Sequence, residues 1–229
     1  MSRNKLKKFA ELTALPNVFE NADSSKPQLT YGDNIEVEMK GQWSEFFKND
    51  KPIVLELACG RGEYSVALGA IYRGKNFIGV DIKGARLHQG ATHALEQNLQ
   101  NVAFLRTRIE QIELFFAENE VSEIWITFPD PFLRESKRNR RLTSIPFLER
   151  YCKFLKPRGV LHLKTDSTEL YDFTLETLSA QTLFKLISYD NDIYSKPITV
   201  PELNVKTYYE KKHLQDGRLI KYIKCILVS

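Results

Sequence analysis

The sequence predicts an α/β fold, an open and mostly parallel sheet flanked by helices. Three observations predict it. From residue 52 onward, short β-rich runs alternate with helical stretches five times. Several runs are nearly all apolar, as in Ile53-Val54-Leu55-Glu56-Leu57 and Ile124-Trp125-Ile126, the pattern of strands covered on both faces. The chain has 229 residues, 42% hydrophobic and 27% charged, which suits one large domain and excludes a disordered or fibrous protein.

Residues 1–45 lack a clean periodicity and contain Pro16, Pro27, Gly32 and Gly41. They read as a partly flexible N-terminal extension with one short helix, ahead of a domain spanning 46–229. In that domain the strands are expected at Ile53–Leu57, Asn76–Ile82, Val102–Thr107, Glu123–Phe128 and Gly159–Thr165. Helices are expected at Glu63–Tyr72, Gly84–Leu99, Glu110–Glu118 and Thr143–Leu155. Lys156-Pro157-Arg158-Gly159 reads as a turn before the fifth strand. A helix at Ser167–Ala180 follows. Phe184–Tyr189 and Leu219–Leu227 read as a closing hairpin with a long connection, Asp190–Gly217.

The 33 Lys and Arg exceed the 29 Asp and Glu by only four. The surplus is local. Residues 134–141, Arg-Glu-Ser-Lys-Arg-Asn-Arg-Arg, hold five basic side chains and one acidic, and without them the chain is electrically balanced. Arg3, Lys5, Lys7 and Lys8 form a second basic run. Such clusters bind polyanions, although a solvated charged loop is the commoner use of either run alone. Cys59, Cys152 and Cys225 are odd in number and far apart, so neither a disulfide framework nor a zinc site is expected. A cytoplasmic setting is expected. No apolar stretch approaches the roughly 18–20 residues of a membrane helix, and no secretory signal is read at the N-terminus.

The first expected strand leads into Glu56-Leu57-Ala58-Cys59-Gly60-Arg61-Gly62. Glycines at such a turn let backbone approach a ligand closely. Ala58 stands where a full dinucleotide fingerprint has its first glycine. Glu56 can receive the positive end of a ligand. Asp81, at the tip of the second strand, can accept both hydroxyls of a ribose; alternatively it caps the helix near Gly84. This acidic pair suits S-adenosylmethionine better than NAD. After the third strand comes Arg108, which cannot accept a hydrogen bond, so an adenine contact falls to Glu110 or to a backbone carbonyl.

The fourth strand ends in Phe128-Pro129-Asp130-Pro131-Phe132, where the prolines restrict the backbone beside one carboxylate. The basic run follows directly. A carboxylate beside a cationic loop suits a base held in the site with phosphates gripped outside. Asp166 lies at the fifth strand's tip, and Thr207-Tyr208-Tyr209-Glu210 mixes hydroxyls and a carboxylate late in the chain. The histidines, with His88 and His93 five apart and His162 inside a strand, show no ligand spacing, so no metal is expected. Trp43, Trp125 and Cys59 read as packing residues.

Taken together, Glu56, Gly60, Gly62, Asp81, the Phe-Pro-Asp-Pro segment with its basic tail, Thr165-Asp166 and Thr207-x-x-Glu210 resemble the bacterial tRNA (guanine-N7)-methyltransferase family from about residue 50 onward. The resemblance implies a Rossmann-like class I methyltransferase, with seven strands in the order 3-2-1-4-5-7-6 and the seventh antiparallel. It implies methyl transfer from S-adenosylmethionine to N7 of guanine 46 in the tRNA variable loop, leaving S-adenosylhomocysteine. By the same resemblance Glu56, Asp81 and Asp130 face the cofactor, with Gly60 and Gly62 expected in its turn and Arg108 at the position beside its adenine. The resemblance places Arg134, Asp166, Thr207 and Glu210 at the substrate, and the charge of the basic loop makes Arg138, Arg140 and Arg141 expected tRNA contacts. Asp130 is also the expected catalytic residue. The expected state is monomer or homodimer. This chain departs from the family at Phe132 for Trp, Arg134 for Lys, Ser136-Lys137 for Arg-His, and Arg108 for an acidic residue.

Guanine N7 carries its own lone pair, so the reaction needs alignment and water exclusion rather than a base. Two rivals remain. A methyltransferase of exocyclic amines would place Asp or Asn before Pro-Pro-aromatic, and the order here differs. A noncatalytic tRNA-binding module would not need the acidic residues and glycines of the cofactor site.

Overall fold

The computed structural model describes residues 11–21, 23–32 and 34–228. The basic run Arg3–Lys8 lies outside them. The chain divides into two compact units, residues 1–117 and 118–229.

In the first unit the expected parallel strands are β4 (Ile53–Leu57), β5 (Asn76–Asp81) and β6 (Val102–Arg106), with β5 between the other two. Their side chains are buried almost without exception, including Leu55, Leu57, Ile78, Val80 and Phe104. Helices α2 (Glu63–Ile71) and α3 (Gly84–Glu96) pack on them. The sheet does not stop at β6. Residues expected to form only an extension make β1 (Val18–Glu20), β2 (Leu29–Tyr31) and β3 (Ile35–Val37). β1 runs parallel to β6, and β2 and β3 follow antiparallel. Phe19 of β1 packs its ring against Tyr31, Phe46 and Trp43, and α1 (Trp43–Phe47) brings in the last two. Trp43 is fully buried and donates to the Phe115 carbonyl at 2.9 Å.

In the second unit β7 (Val121–Thr127) runs parallel to β8 (Leu155–Thr165). The closing hairpin is present as β9 (Phe184–Asp190) and β10 (Lys221–Leu227), with β10 antiparallel to both β8 and β9 and lying between them. Helices α4 (Ile145–Cys152) and α5 (Thr168–Ser179) cover this sheet. The Lys156–Gly159 turn is instead an irregularity inside β8. The register with β7 jumps from Val121↔Leu155 to Glu123↔Val160, and Arg158 takes φ 62° to absorb the extra residues. The stretch expected to be helical at 110–118 is a 3-10 turn, Ile109–Leu114.

The described strands number ten, not the seven expected. The additional three are β1 to β3. No helix among the described residues is long and apolar enough to cross a membrane.

Candidate active site

The first unit builds a turn around one aromatic ring. β4 ends at Leu57, and Ala58, Gly60 and Gly62 then take φ of 59°, 57° and 66° before α2 begins. Gly62 cannot carry a side chain here, because a Cβ would lie 2.3 Å from the Phe104 ring. Gly79 and Gly90 crowd the same ring, where added Cβ atoms would fall 2.7 and 2.8 Å from it. Phe104 is fully buried in this three-glycine socket, which lets the turn pass close over the sheet. At Gly60 the opposite holds: a Cβ would meet nothing within 4 Å, so the turn opens on free space there.

Two carboxylates border the turn. Glu56 is 4% exposed, and its Oε2 accepts from the Ser65 backbone N–H at 2.9 Å and the Ser65 hydroxyl at 2.6 Å. The N-terminal turn of α2 thus supports a buried negative charge. Asp81 accepts from Gly60 N–H through Oδ2 at 2.9 Å and from Lys83 N–H through Oδ1 at 2.8 Å. Asp81 therefore ties the glycine turn to the Ile82-Lys83 segment that leads into α3. Each of its oxygens keeps acceptor capacity beyond these bonds. Arg108 is exposed at the start of the 3-10 turn. Cys59 is buried, and burial next to Glu56 and Asp81 pushes its thiol well up, so it is held neutral as a packing group.

The second unit carries the other candidate residues along one edge of its sheet. Thr127 pairs with Lys164, and Phe128 N–H bonds to the Lys164 carbonyl at 2.8 Å, so the Phe-Pro-Asp-Pro turn leaves β7 beside Lys164-Thr165-Asp166. Phe128 and Phe132 both have positive φ, 48° and 42°. Asp130 is exposed, and its Oδ1 accepts from Phe132 N–H at 3.0 Å. The basic run forms a 3-10 turn, Glu135–Arg140, with Arg134, Lys137, Arg138 and Arg140 all exposed. Arg138 pairs with Glu135 at 3.0 Å. Arg140 lies 4.9 Å over the Phe132 ring.

Three candidate residues sit differently from their expected roles. Arg141 is only 6% exposed and donates to the Pro131 and Phe132 carbonyls, so it holds the turn and does not face solvent phosphate. Glu210 is 0% exposed. Its carboxylate is locked 2.7 Å from Lys164 Nζ and accepts the Tyr194 hydroxyl at 2.6 Å, so it is not presented to a substrate. Lys164 is equally buried, and its ammonium also donates to the Leu203 and Val205 carbonyls, each at 3.0 Å. Burial pulls the Lys164 pKa down against the opposing pull of Glu210. Thr207, also buried, caps α6 (Tyr208–Gln215) by accepting from Glu210 N–H at 3.2 Å. The Thr-x-x-Glu spacing is thus a helix start. Asp166 accepts from Arg218 at 2.7 Å, with His213 at 3.7 Å.

Sequence reasoning missed Ser65, Phe104, Lys164, Tyr194 and Arg218. Only Lys164 left a signal, as a lone cation in an apolar strand. His162 is a satisfied core residue, as expected. It stacks 3.9 Å from Trp125 and bonds Tyr222 and Glu123, and burial lowers its pKa.

An α/β fold with a glycine turn after β4 and carboxylates at the tips of β4 and β5 suits a Rossmann-like methyltransferase. The comparisons agree. Residues 50–223 match the family model described as "Putative methyltransferase". The chain is 51% identical over 226 residues to the tRNA (guanine-N(7)-)-methyltransferase of Bacteroides thetaiotaomicron, covering 98% of this chain and 86% of that one. It is 49% identical to the protein of the same name from Christiangramia forsetii, covering 97% of each. The chain belongs to the tRNA (guanine-N(7)-)-methyltransferase family. Among solved structures, the 16S rRNA methyltransferase KamB superposes with a TM-score of 0.63 at 13% identity, over 87% of this chain and 99% of that one, a likeness of fold.

Proposed function

We propose that this protein transfers the methyl group of S-adenosylmethionine to N7 of guanine 46 in the variable loop of tRNA. The near-complete alignment at about half identity with proteins named tRNA (guanine-N(7)-)-methyltransferase carries the reading. Its finer points are supported by the site. The space above Gly60, bordered by the Asp81 carboxylate, fits the cofactor. Bound there, S-adenosylmethionine supplies a methyl group on a sulfonium. Asp81 would accept its ribose hydroxyls, Glu56 would offset the charge of its cationic end, and Arg108 would lie on its adenine side. In the second unit Asp130 presents an exposed carboxylate to the guanine N1–H and amino group and offsets the positive charge that grows on the purine. Asp166 assists it. Arg134, Lys137, Arg138 and Arg140 grip phosphates, and Arg3–Lys8 add a second contact. We read the enzyme as cytoplasmic, monomeric or homodimeric, and without a metal.

Unmodified tRNA incubated with the enzyme and labelled cofactor should take up one methyl group. Borohydride reduction followed by aniline should then cleave the tRNA at the variable-loop guanine. Label without that cleavage would assign the methyl group to another atom.

Asp130→Asn should slow transfer by about tenfold or more, the scale of one lost electrostatic contact in a site. Turnover near that of the wild type, on intact tRNA, would remove Asp130 from the reaction. Replacing Arg138 and Arg140 with Gln should weaken tRNA binding and flatten its dependence on salt, since fewer counterions are released. Filter binding across a salt series reads this directly, and an unchanged slope would exclude both as phosphate contacts.

A further inference from the structure

We propose that Arg141 is a positioning residue for methyl transfer, acting through the backbone that carries Asp130. The proposal rests on the reading of Asp130 as the guanine-facing carboxylate. Arg141 ends a stretch whose other cations are exposed, yet it is itself buried. Its guanidinium lies 4.4 Å over the Phe173 ring. From that platform Nε donates to the Pro131 carbonyl at 3.1 Å and Nη2 to the Phe132 carbonyl at 3.2 Å.

Those two carbonyls follow Asp130 directly. Pro129 and Pro131 fix φ in the turn, but a proline leaves ψ open, and ψ sets where its carbonyl points. Arg141 supplies the missing restraint at residues 131 and 132. Phe132 needs it, because its φ of 42° is sparsely populated for a phenylalanine and persists only under external hold. The Phe132 N–H in turn fixes Asp130 Oδ1. The chain of restraint runs from Phe173 through Arg141 and the Phe132 backbone to the carboxylate. It also ties the end of the basic loop to its beginning. A lysine carries the charge but not the two-pronged donor geometry.

The test measures steady-state methylation of tRNA and the salt dependence of tRNA binding for R141K, R141M, D130N and D130N/R141M. Both Arg141 variants should lose about tenfold or more in kcat, the scale of a misplaced reacting group. Their KM for tRNA should stay within about twofold and their salt slopes should match the wild type, since no phosphate contact is lost. D130N/R141M should be no slower than D130N. If R141M fails to fold, R141K, which keeps the charge, decides the matter. Wild-type kcat in R141K, a flattened salt slope, or losses that multiply in the double variant would each overturn the proposal. Near-normal turnover in D130N sinks the Asp130 reading by itself, and a slow R141K beside it overturns the route through Asp130.

Discussion

Lys164→Met should lower the stability of the protein by about 3–5 kcal/mol, because it leaves the Glu210 carboxylate buried without its cation. The loss is large against a native margin of about 5–15 kcal/mol. The Leu203 and Val205 carbonyls lose a donor in the same step, and the segment they belong to leads into α6. Glu210→Gln should cost a comparable amount by leaving the ammonium unpaired. Lys164→Met combined with Glu210→Leu removes both charges and should recover much of the loss. Urea unfolding reads all three midpoints. Single variants within about 1 kcal/mol of the wild type would show that water reaches the pair. Activity should fall with stability in the single variants, since Asp166 lies two residues beyond Lys164.

Gly62→Ala should have the next largest effect. An alanine at φ 66° costs about 1–2 kcal/mol by itself. Its methyl group would also sit 2.3 Å from the Phe104 ring, and overpacking of that kind costs about 1–3 kcal/mol more. The ring cannot retreat, because Gly79 and Gly90 hold it on two other sides. The turn would have to lift, carrying Gly60 and its bond to Asp81 with it. Calorimetry should show S-adenosylhomocysteine binding weakened at least about tenfold, a free-energy loss of about 1.4 kcal/mol. Phe104→Leu in the same chain should restore part of both losses. If the double variant binds no better than Gly62→Ala alone, the ring is not the obstacle.

The strands read from sequence were long and apolar enough to show their pattern, and all seven are present in the structure. β1, β2 and β3 escaped notice because each has three residues, too few for an alternation to register, and β3 is mostly exposed. α6 escaped for a different reason. Apart from the half-buried Leu214 its residues are polar or exposed, and its one buried residue is Glu210, so the usual apolar stripe is absent. The glycine turn and its carboxylates were legible because steric and charge requirements there are local. The roles of Arg141 and Glu210 were not. A charged residue reads as a surface residue until the partner that buries it is known, and both find theirs through long-range contacts. Glu210 meets Lys164 46 positions away, and Arg141 meets the face of Phe173.

The place of β10 bears on how the chain is made. It lies between β8 and β9, yet it is the last strand in sequence order. During synthesis β8 and β9 emerge first, each with an unsatisfied edge that only β10 can fill. The buried Lys164 likewise waits for Glu210. The second unit therefore cannot complete its sheet until the final strand is available, whereas β4 to β6 can pair while synthesis continues. A chain cut off just before α6 would present two open strand edges and an unpaired buried cation, a species suited to capture by chaperones.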